Sequence, residues 1–248
     1  MLRLLCVTAH PDDEASSFGG TLLRSRDRGI ETHVLCLTPG QAATNRGGTR
    51  SDDELAAMRR REFAAACEIL KITRGEVLDY PDAALDRVEL HSVVGDLVGR
   101  IRDLRPHVII TFGPEGAVTA HPDHSMCSIF TSMAYHWAGR SNRYPEQLQN
   151  GRTPHCAQKL YYATTLFTLP DRPPVSLAPA TADIDITPHL ETKIAAFEAH
   201  TSQAPLFPLF ARIVRKRGQR ELFHLAASAT PQQLQPETDL FAGITDND

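Results

Sequence analysis

An apolar run at residues 2–8 leads directly into the sequence Ala-His-Pro-Asp-Asp-Glu at residues 9–14. The run has the continuous apolar character of a buried strand, and the small and apolar residues that follow, at 15–23, are typical of a helix packed closely on a sheet. One imidazole and three carboxylates are therefore placed at a strand-to-helix turn, where open α/β sheets bind their ligands. This combination indicates that something cationic binds at the turn.

The rest of the chain's first half repeats the alternation of strands and helices. Periodicity predicts strands at residues 30–38, 76–80 and 107–112, and helices at 14–28, 51–71 and 93–104. Residues 41–51 show no periodicity, so they are predicted to form a loop above the carboxyl edge of the sheet. The order of elements predicts an α/β fold, a Rossmann-like three-layer α/β/α arrangement with a mainly parallel sheet.

A second polar motif, His-Pro-Asp-His at residues 121–124, also lies at a strand-to-helix connection. It follows the predicted strand at 107–112 and a loop, and it begins an apolar helix that extends to about residue 137. The carboxyl ends of parallel strands lie at one edge of a sheet, so the two motifs are expected to meet there.

The spacing of the polar residues in both motifs suits a metal ion. His10 and Asp13 are three residues apart at a turn, and His121 and His124 are three apart in the first turn of a helix. Together they exceed the three protein ligands that a catalytic zinc site requires, which leaves groups for proton transfer. A single aspartate before a helix is usually a cap, but two such clusters at one edge favour a metal site.

The C-terminal half is less regular. Strands are predicted at residues 159–166 and 183–186, and helices at about 187–200 and 206–216. Residues 141–158 are polar and turn-rich, and residues 169–180 are rich in proline. No linker divides the chain, so we expect one domain over residues 1–248, with a core at about 2–205 and a peripheral segment at 206–248.

Composition excludes several classes of function. A net charge of −4 over 248 residues gives no basic surface for nucleic acid. No apolar run approaches the roughly 20 residues of a membrane span. The five cysteines show no CxxC spacing, which is typical of reduced thiols and predicts a cytoplasmic protein. A dinucleotide site is disfavoured because no G-x-G-x-x-G follows the first strand and the carboxylates would repel a pyrophosphate.

The motifs at residues 9–14 and 121–124, taken together, resemble the paired signature of the LmbE-like, or PIG-L, family of zinc-dependent N-acetylglucosaminyl deacetylases. Family-like spacing is also present in Arg-Arg-Arg-Glu at 59–62, in Tyr-Pro-Asp at 80–82, and in a late set of residues. That late set is Lys193, Ala196, His200 and Gln203. The resemblance covers roughly residues 2–205.

The resemblance implies a role for each polar residue of the site. The implied zinc ligands are His10, Asp13 and His124, and the implied general base is Asp12. Arg59 and Asp82 would bind the sugar. A charged His121 would stabilise the oxyanion or protonate the departing amine, and Asp123 would orient a neighbouring histidine. For Arg59 a solvated helix face is the alternative, and for Asp123 a helix cap. Glu14 is expected to be a residue of the helix's first turn or a partner of these groups.

The resemblance also implies the reaction, which is hydrolysis of the N-acetyl group of an N-acetylglucosamine conjugate, such as a bacillithiol- or mycothiol-type precursor. Zinc is the expected ion, although the ligand types also suit another divalent metal such as Fe²⁺. The partner would be a small-molecule sugar conjugate, and a homo-oligomer is compatible with the family. Alternatives are an amidase on a thiol S-conjugate or other non-sugar amide, and a catalytically silent, metal-containing sugar-binding module. Asp12 and His121 favour an enzyme, because a structural zinc site needs neither.

Overall fold

The computed structural model describes residues 1–149, 151–167, 175–231 and 233–246. Its strands are β1 (Arg3–Thr8), β2 (Glu31–Cys36), β3 (Arg74–Val77), β4 (Val108–Phe112), β5 (Lys159–Thr164), β6 (Ala182–Asp185) and β7 (Arg220–Ser228). They form a seven-stranded sheet in the order β3-β2-β1-β4-β5-β7-β6. Strands β1 to β5 pair in parallel, and β7 is antiparallel to both β5 and β6.

Helices cover both faces of this sheet. They are α1 (Asp13–Ser16), α2 (Gly19–Asp27), α3 (Asp52–Ile69), α4 (Leu90–Leu104), α5 (Pro122–Ala138), α6 (Pro145–Gln149), α7 (Leu190–Glu198) and α8 (Phe207–Arg217). This confirms the predicted Rossmann-like α/β/α fold with a mainly parallel sheet. None of these helices combines the length and the apolar character that a bilayer crossing requires.

The centre of the sheet positions the two polar motifs. Strands β1 and β4 are neighbours, with Leu4 opposite Val108 and Cys6 opposite Ile110, and every residue of β4 is buried. From β1 the chain continues to β2 and β3 on one side of β1, and it then returns to β4 on the other side. The direction of strand order therefore reverses between β1 and β4. A crevice forms outside the carboxyl ends of strands at such a point. Residues 9–14 and 121–124 both follow these strand ends.

The first helix differs from the expected single helix at residues 14–28. The structure divides it into α1 and α2, with Ser17 and Phe18 between them. The Phe18 ring is fully buried and lies 5.3 Å from the Phe112 ring, between centroids. The backbone at Gly20 lies close to the side chain of Ile186, since a Cβ at Gly20 would be 2.3 Å from one of its carbons. The break lets an aromatic ring enter the core directly beneath the first polar motif.

The C-terminal segment is not peripheral, which corrects the expectation for residues 206–248. Strand β7 lies between β5 and β6 inside the sheet, and its Phe223 is fully buried. Leu240 and Phe241 also join the core. Of the proline-rich stretch, residues 169–174 lie outside the described residues, and 175–180 form neither helix nor strand.

Glu221 of β7 connects this late strand to the helix behind the first polar motif. Its carboxylate accepts hydrogen bonds from the backbone N–H groups of Gly20 (2.9 Å) and Thr21 (2.8 Å) at the start of α2. It also pairs with the ammonium group of Lys193, and both side chains are almost completely buried. A negative charge at a helix N-terminus is favourable, and burial strengthens the interaction.

We expect Glu221→Ala to lower the free energy of unfolding by about 3–5 kcal/mol, because the Lys193 ammonium would stay buried without its charge partner. Urea unfolding followed by circular dichroism measures this change. The matched control is Glu191→Ala, whose exposed carboxylate pairs with Arg215 at the surface and should not change stability measurably. Equal stability of the Glu221 and Glu191 variants would contradict this role of the buried pair.

Candidate metal centre and active site

The carboxyl ends of β1 and β4 bring the three motif histidines together, as the sequence predicts. The centroid of the His10 ring lies 4.8 Å from that of His121 and 5.3 Å from that of His124, and the last two are 5.0 Å apart. Phe112, the final residue of β4, stacks on the His124 ring at 4.0 Å with an interplanar angle of 2°. The end of the strand thus fixes the plane of that imidazole.

Asp13 lies between the imidazoles of His10 and His124. Its Oδ2 is 3.5 Å from His10 Nδ1, and its Oδ1 is 3.3 Å from His124 Nε2. The backbone N–H of His10 also donates to Asp13 Oδ2 at 2.8 Å, which closes the turn. Burial acts to raise the pKa of the Asp13 carboxyl, but the His124 and His10 rings outweigh it and hold that pKa well below its usual range.

These three residues fit a divalent metal ion. Two imidazoles and an ionised carboxylate form a nitrogen and oxygen donor set of the kind that catalytic zinc sites use. The Asp13 carboxylate faces both rings at once, so the three groups already converge, and all three are buried. The ring nitrogens of His10, His121 and His124 lie within 4.8 Å of one another, so His121 borders the same space.

Two further carboxylates support His10 from its other side. Its Nε2 lies 3.0 Å from Asp82 Oδ1 and 3.2 Å from Asp123 Oδ2. Asp123 is itself held by the backbone N–H groups of Ala83 (2.7 Å) and Leu85 (3.1 Å). A carboxylate on the second nitrogen of a metal-binding histidine fixes its orientation and its tautomer. The structure therefore places Asp123 where it can orient His10.

The charges around His10 strongly affect its protonation. Burial lowers the pKa of the His10 ring, but hydrogen bonds to Asp123, Asp13 and Asp82 raise it well above its usual value. The same carboxylates that attract a proton to this ring would attract a divalent cation. These carboxylates therefore favour the binding of a cation at this site.

Asp82 also anchors the loop that precedes α3. Its Oδ2 accepts the backbone N–H of Ala42 at 2.7 Å, and its side chain is only 6% exposed. Ala42 belongs to the loop at residues 41–51, which the sequence places above the carboxyl edge of the sheet. Asp82 thus contacts both His10 and this loop, and sugar binding by Asp82 stays a prediction.

Asp12 occupies a different position from its neighbour Asp13. Its backbone φ of 113° lies in the left-handed region, which costs a non-glycine residue about 1–3 kcal/mol. Its carboxylate is 19% exposed and accepts a hydrogen bond from Arg59 Nη2 at 2.7 Å. Burial, opposed by the Arg59 charge, raises the pKa of Asp12 to about 6. A carboxylate with a pKa near neutrality is suited to general-base catalysis.

Arg59 is a buried partner of Asp12. It is 3% exposed, so the alternative of a solvated helix face is wrong. Besides Asp12, its guanidinium donates to the backbone carbonyl oxygens of Gly40 (3.1 Å) and Pro11. The sequence could not indicate the contacts with Pro11 and Asp12, because they join α3 to a turn more than 40 residues earlier. Sugar binding by Arg59 stays a prediction.

His121 caps the N-terminus of α5. Its Nδ1 accepts the backbone N–H of Asp123 at 3.2 Å, so a neutral ring carries its proton on Nε2. Burial, together with the nearby His10 and His124 rings, lowers the pKa of His121. These surroundings oppose the charged form that the resemblance implies. A neutral ring with Nε2–H can still donate a hydrogen bond to a developing negative charge.

A buried pair of Glu14 and His200 lies behind this site. Glu14 Oε1 is 2.7 Å from His200 Nε2, and both side chains are 0% exposed. Glu14 Oε2 accepts the backbone N–H of Asp12 at 3.0 Å. Glu14 meets both expectations, because it lies in the first turn of α1 and is also a hydrogen-bond partner of the site residues. The only sequence signal for His200 is the family-like spacing from Lys193 to Gln203.

Comparison with known proteins identifies relatives of this chain. Residues 5–135 match the model of the PIG-L family, GlcNAc-PI de-N-acetylase. The chain is 29% identical to 1D-myo-inositol 2-acetamido-2-deoxy-alpha-D-glucopyranoside deacetylase 2 of Catenulispora acidiphila, over 97% of each chain. It is 31% identical to the diacetylchitobiose deacetylase of Thermococcus kodakarensis, over 82% of this chain and 70% of the relative.

A solved structure shows the same fold. N,N'-diacetylchitobiose deacetylase from Pyrococcus horikoshii superposes with a TM-score of 0.76, at 24% identity, over 98% of this chain and 86% of the other. The family match spans both polar motifs, from β1 through most of α5. The chain therefore belongs to the PIG-L family of de-N-acetylases.

Proposed function

We propose that this protein is a metal-dependent hydrolase that removes the N-acetyl group from an N-acetylglucosamine conjugate. The observation that carries the proposal is the position of Asp12, whose pKa is about 6, next to the buried donor set of His10, Asp13 and His124. Membership of the PIG-L family supports it. Two relatives are named deacetylases, one of an inositol-linked acetamido sugar and one of diacetylchitobiose.

His10, Asp13 and His124 would hold the ion, for which we propose zinc, with Fe²⁺ as the alternative. When bound, such an ion supplies a Lewis acid for the amide carbonyl and increases the acidity of water. The chain's own contribution begins with Asp123 and Asp82, which orient His10 through its Nε2. The ionised Asp13 then balances part of the ion's charge.

Asp12 is the proposed general base. The ionised carboxylate can take a proton from the water that attacks the acetamide carbon. Arg59 holds this carboxylate at one oxygen, Oδ2, so the other oxygen is available for the proton. The proton that Asp12 collects can then pass to the amide nitrogen as the C–N bond breaks. The products are acetate and a primary amine.

His121 is the proposed donor to the carbonyl oxygen as negative charge develops on it. Its Nδ1 accepts the N–H of Asp123, so its Nε2–H is the available donor. A fixed hydrogen-bond donor of this kind stabilises a tetrahedral oxyanion without reorganisation during the reaction. The neutral ring suffices for this role.

Substrate selection is proposed to involve the loop at residues 41–51, which Asp82 anchors through Ala42. Arg59 and Asp82 remain our candidates for contact with the sugar. We propose a small-molecule conjugate, with a bacillithiol- or mycothiol-type precursor as the leading choice. A homo-oligomer and a cytoplasmic location stay predictions, and the free state of all five cysteines supports a reducing compartment.

The substrate class is tested with the zinc-loaded protein and a panel of amides, with released acetate measured by a coupled enzyme assay. The panel contains N-acetylglucosamine linked to inositol and to malate, diacetylchitobiose, a cysteine-conjugate amide and a simple non-sugar acetamide. We expect acetate from at least one sugar conjugate. Hydrolysis of only the non-sugar amides would replace the proposal with an amidase. Binding of sugar without hydrolysis would indicate a silent module.

A further inference from the structure

The Glu14–His200 pair is unusual because both side chains are polar and neither has any exposure to solvent. A carboxylate in such a place needs strong hydrogen bonds to offset the loss of water. His200 Nε2 provides one at 2.7 Å. The other ring nitrogen of His200 has no hydrogen-bond partner among the described residues, so the contact with Glu14 is what this ring contributes.

The second oxygen of Glu14 bonds to the backbone of Asp12. The Asp12 N–H donates to Glu14 Oε2 at 3.0 Å, and the Asp12 carbonyl accepts the N–H of Ser16 at 2.8 Å. Asp12 is the residue with a φ of 113°, a backbone conformation that persists only where neighbouring groups hold it. Arg59 holds the same turn from the other side, through Pro11 O and the Asp12 carboxylate.

His200 is itself firmly placed. It lies two residues after the end of α7, which packs against α1, and its N–H donates to the carbonyl oxygen of Phe197 at 3.0 Å. Its own carbonyl accepts the N–H of Gln203 at 2.8 Å. A rigid histidine therefore fixes Glu14, and Glu14 fixes the peptide of Asp12.

We propose that His200, acting through Glu14, is a positioning residue for the general base: it holds the left-handed backbone of Asp12 in which the carboxylate meets Arg59. This inference rests on the proposed function, because it assigns Asp12 as the base. It extends that function to a residue 188 positions away in the chain. His200 does not touch the substrate, so we expect its substitution to change kcat and to leave KM nearly unchanged.

The first test compares two substitutions of His200 with one control. Leucine removes the donor, whereas glutamine retains an N–H donor at a similar reach. We expect His200→Leu to lower kcat by about 10- to 100-fold with KM nearly unchanged, and His200→Gln to recover much of the loss. The control is His33→Leu, a buried histidine on β2 whose ring nitrogens have no hydrogen-bond partner among the described residues. It should leave kcat unchanged.

Metal content and melting temperature are measured on the same preparations. A folded His200→Leu variant with full metal content and wild-type kcat would overturn the inference. So would equal losses in the leucine and glutamine variants. In an Asp12→Asn background, His200→Leu is expected to cause no further loss, because the residue acts through Asp12. If the fold-losses in kcat of the two single variants multiply in the double variant, His200 acts independently of Asp12 and the inference is wrong.

A readout without substrate separates this inference from the proposed function. Crystal structures of the wild type and of His200→Leu give the φ angle of Asp12 directly. We expect that angle to leave the left-handed region in the variant, with loss of the Arg59 contact. An unchanged angle and contact would overturn the inference. Absence of acetate release by the wild type would instead overturn the proposed function and leave this structural comparison decisive for His200.

Discussion

Asp12→Asn is expected to lower kcat by about 10²- to 10⁴-fold, which is the usual contribution of a general base. Asparagine has nearly the same shape and its oxygen can still accept the Arg59 hydrogen bond, so the turn should be preserved. Because asparagine cannot take a proton from water, the loss should appear in kcat, with KM and metal content little changed. Steady-state acetate release, together with metal analysis, measures all three quantities.

The matched control for this variant is Asp79→Asn. The Asp79 carboxylate also bonds an arginine, Arg60, but its side chain is 93% exposed. Its amide variant should keep wild-type kcat. If Asp12→Asn retains kcat within about twofold, the attacking water does not give its proton to Asp12, and the assignment of the base is wrong.

His124→Ala is expected to remove the metal and the activity together. His124 is one of the three proposed ligands, with His10 and Asp13, and a site left with two protein ligands binds a divalent ion weakly. Bound zinc should fall from about one ion per chain to a small fraction, and acetate release should fall below detection. Metal analysis after dialysis, and activity after readdition of zinc, measure both effects.

His136→Ala provides the control on the same helix. His136 lies about three turns further along α5, is exposed, and should affect neither metal content nor activity. Retention of a full equivalent of zinc by His124→Ala would contradict the assignment of His124 as a ligand. Loss of zinc without loss of activity would contradict metal dependence itself.

The parts of the structure that the sequence predicts well depend on local patterns. Strands β1 and β4 are largely apolar runs, and α4 shows a clear apolar stripe with Val94, Leu97 and Ile101 buried. The two polar motifs follow strand ends, so sheet geometry alone predicts that they meet. The contact of Asp13 with both His10 and His124 is the expected result of that geometry.

The parts that the sequence did not predict depend on contacts between distant residues. Strand β7 carries a glutamate and a histidine among its apolar residues, so its position inside the sheet is decided by pairing with β5 and β6. The burial of Glu221 follows from its partners at the start of α2 and on α7. No local pattern at residues 220–228 carries that information.

The pKa values and ion pairs of the site residues likewise depend on the folded structure. The lowered pKa of His121 follows from burial and from two neighbouring imidazoles, which only the fold brings together. The pairing of Arg59 with Asp12 similarly requires α3 to lie against the first turn. Sequence patterns identify which residue types are present, whereas their charges depend on distances that patterns do not contain.

The most direct test of metal-dependent N-deacetylation is the stoichiometry of products from one N-acetylglucosamine conjugate. Zinc-loaded wild type, chelator-treated wild type and Asp12→Asn are compared with the same substrate, and acetate and primary amine are quantified together. We predict equal amounts of acetate and amine from the loaded wild type, recovery of both when zinc is restored after chelation, and almost none from Asp12→Asn. Full acetate release by the chelated protein, or release of sugar with its acetyl group intact, would contradict metal-dependent N-deacetylation.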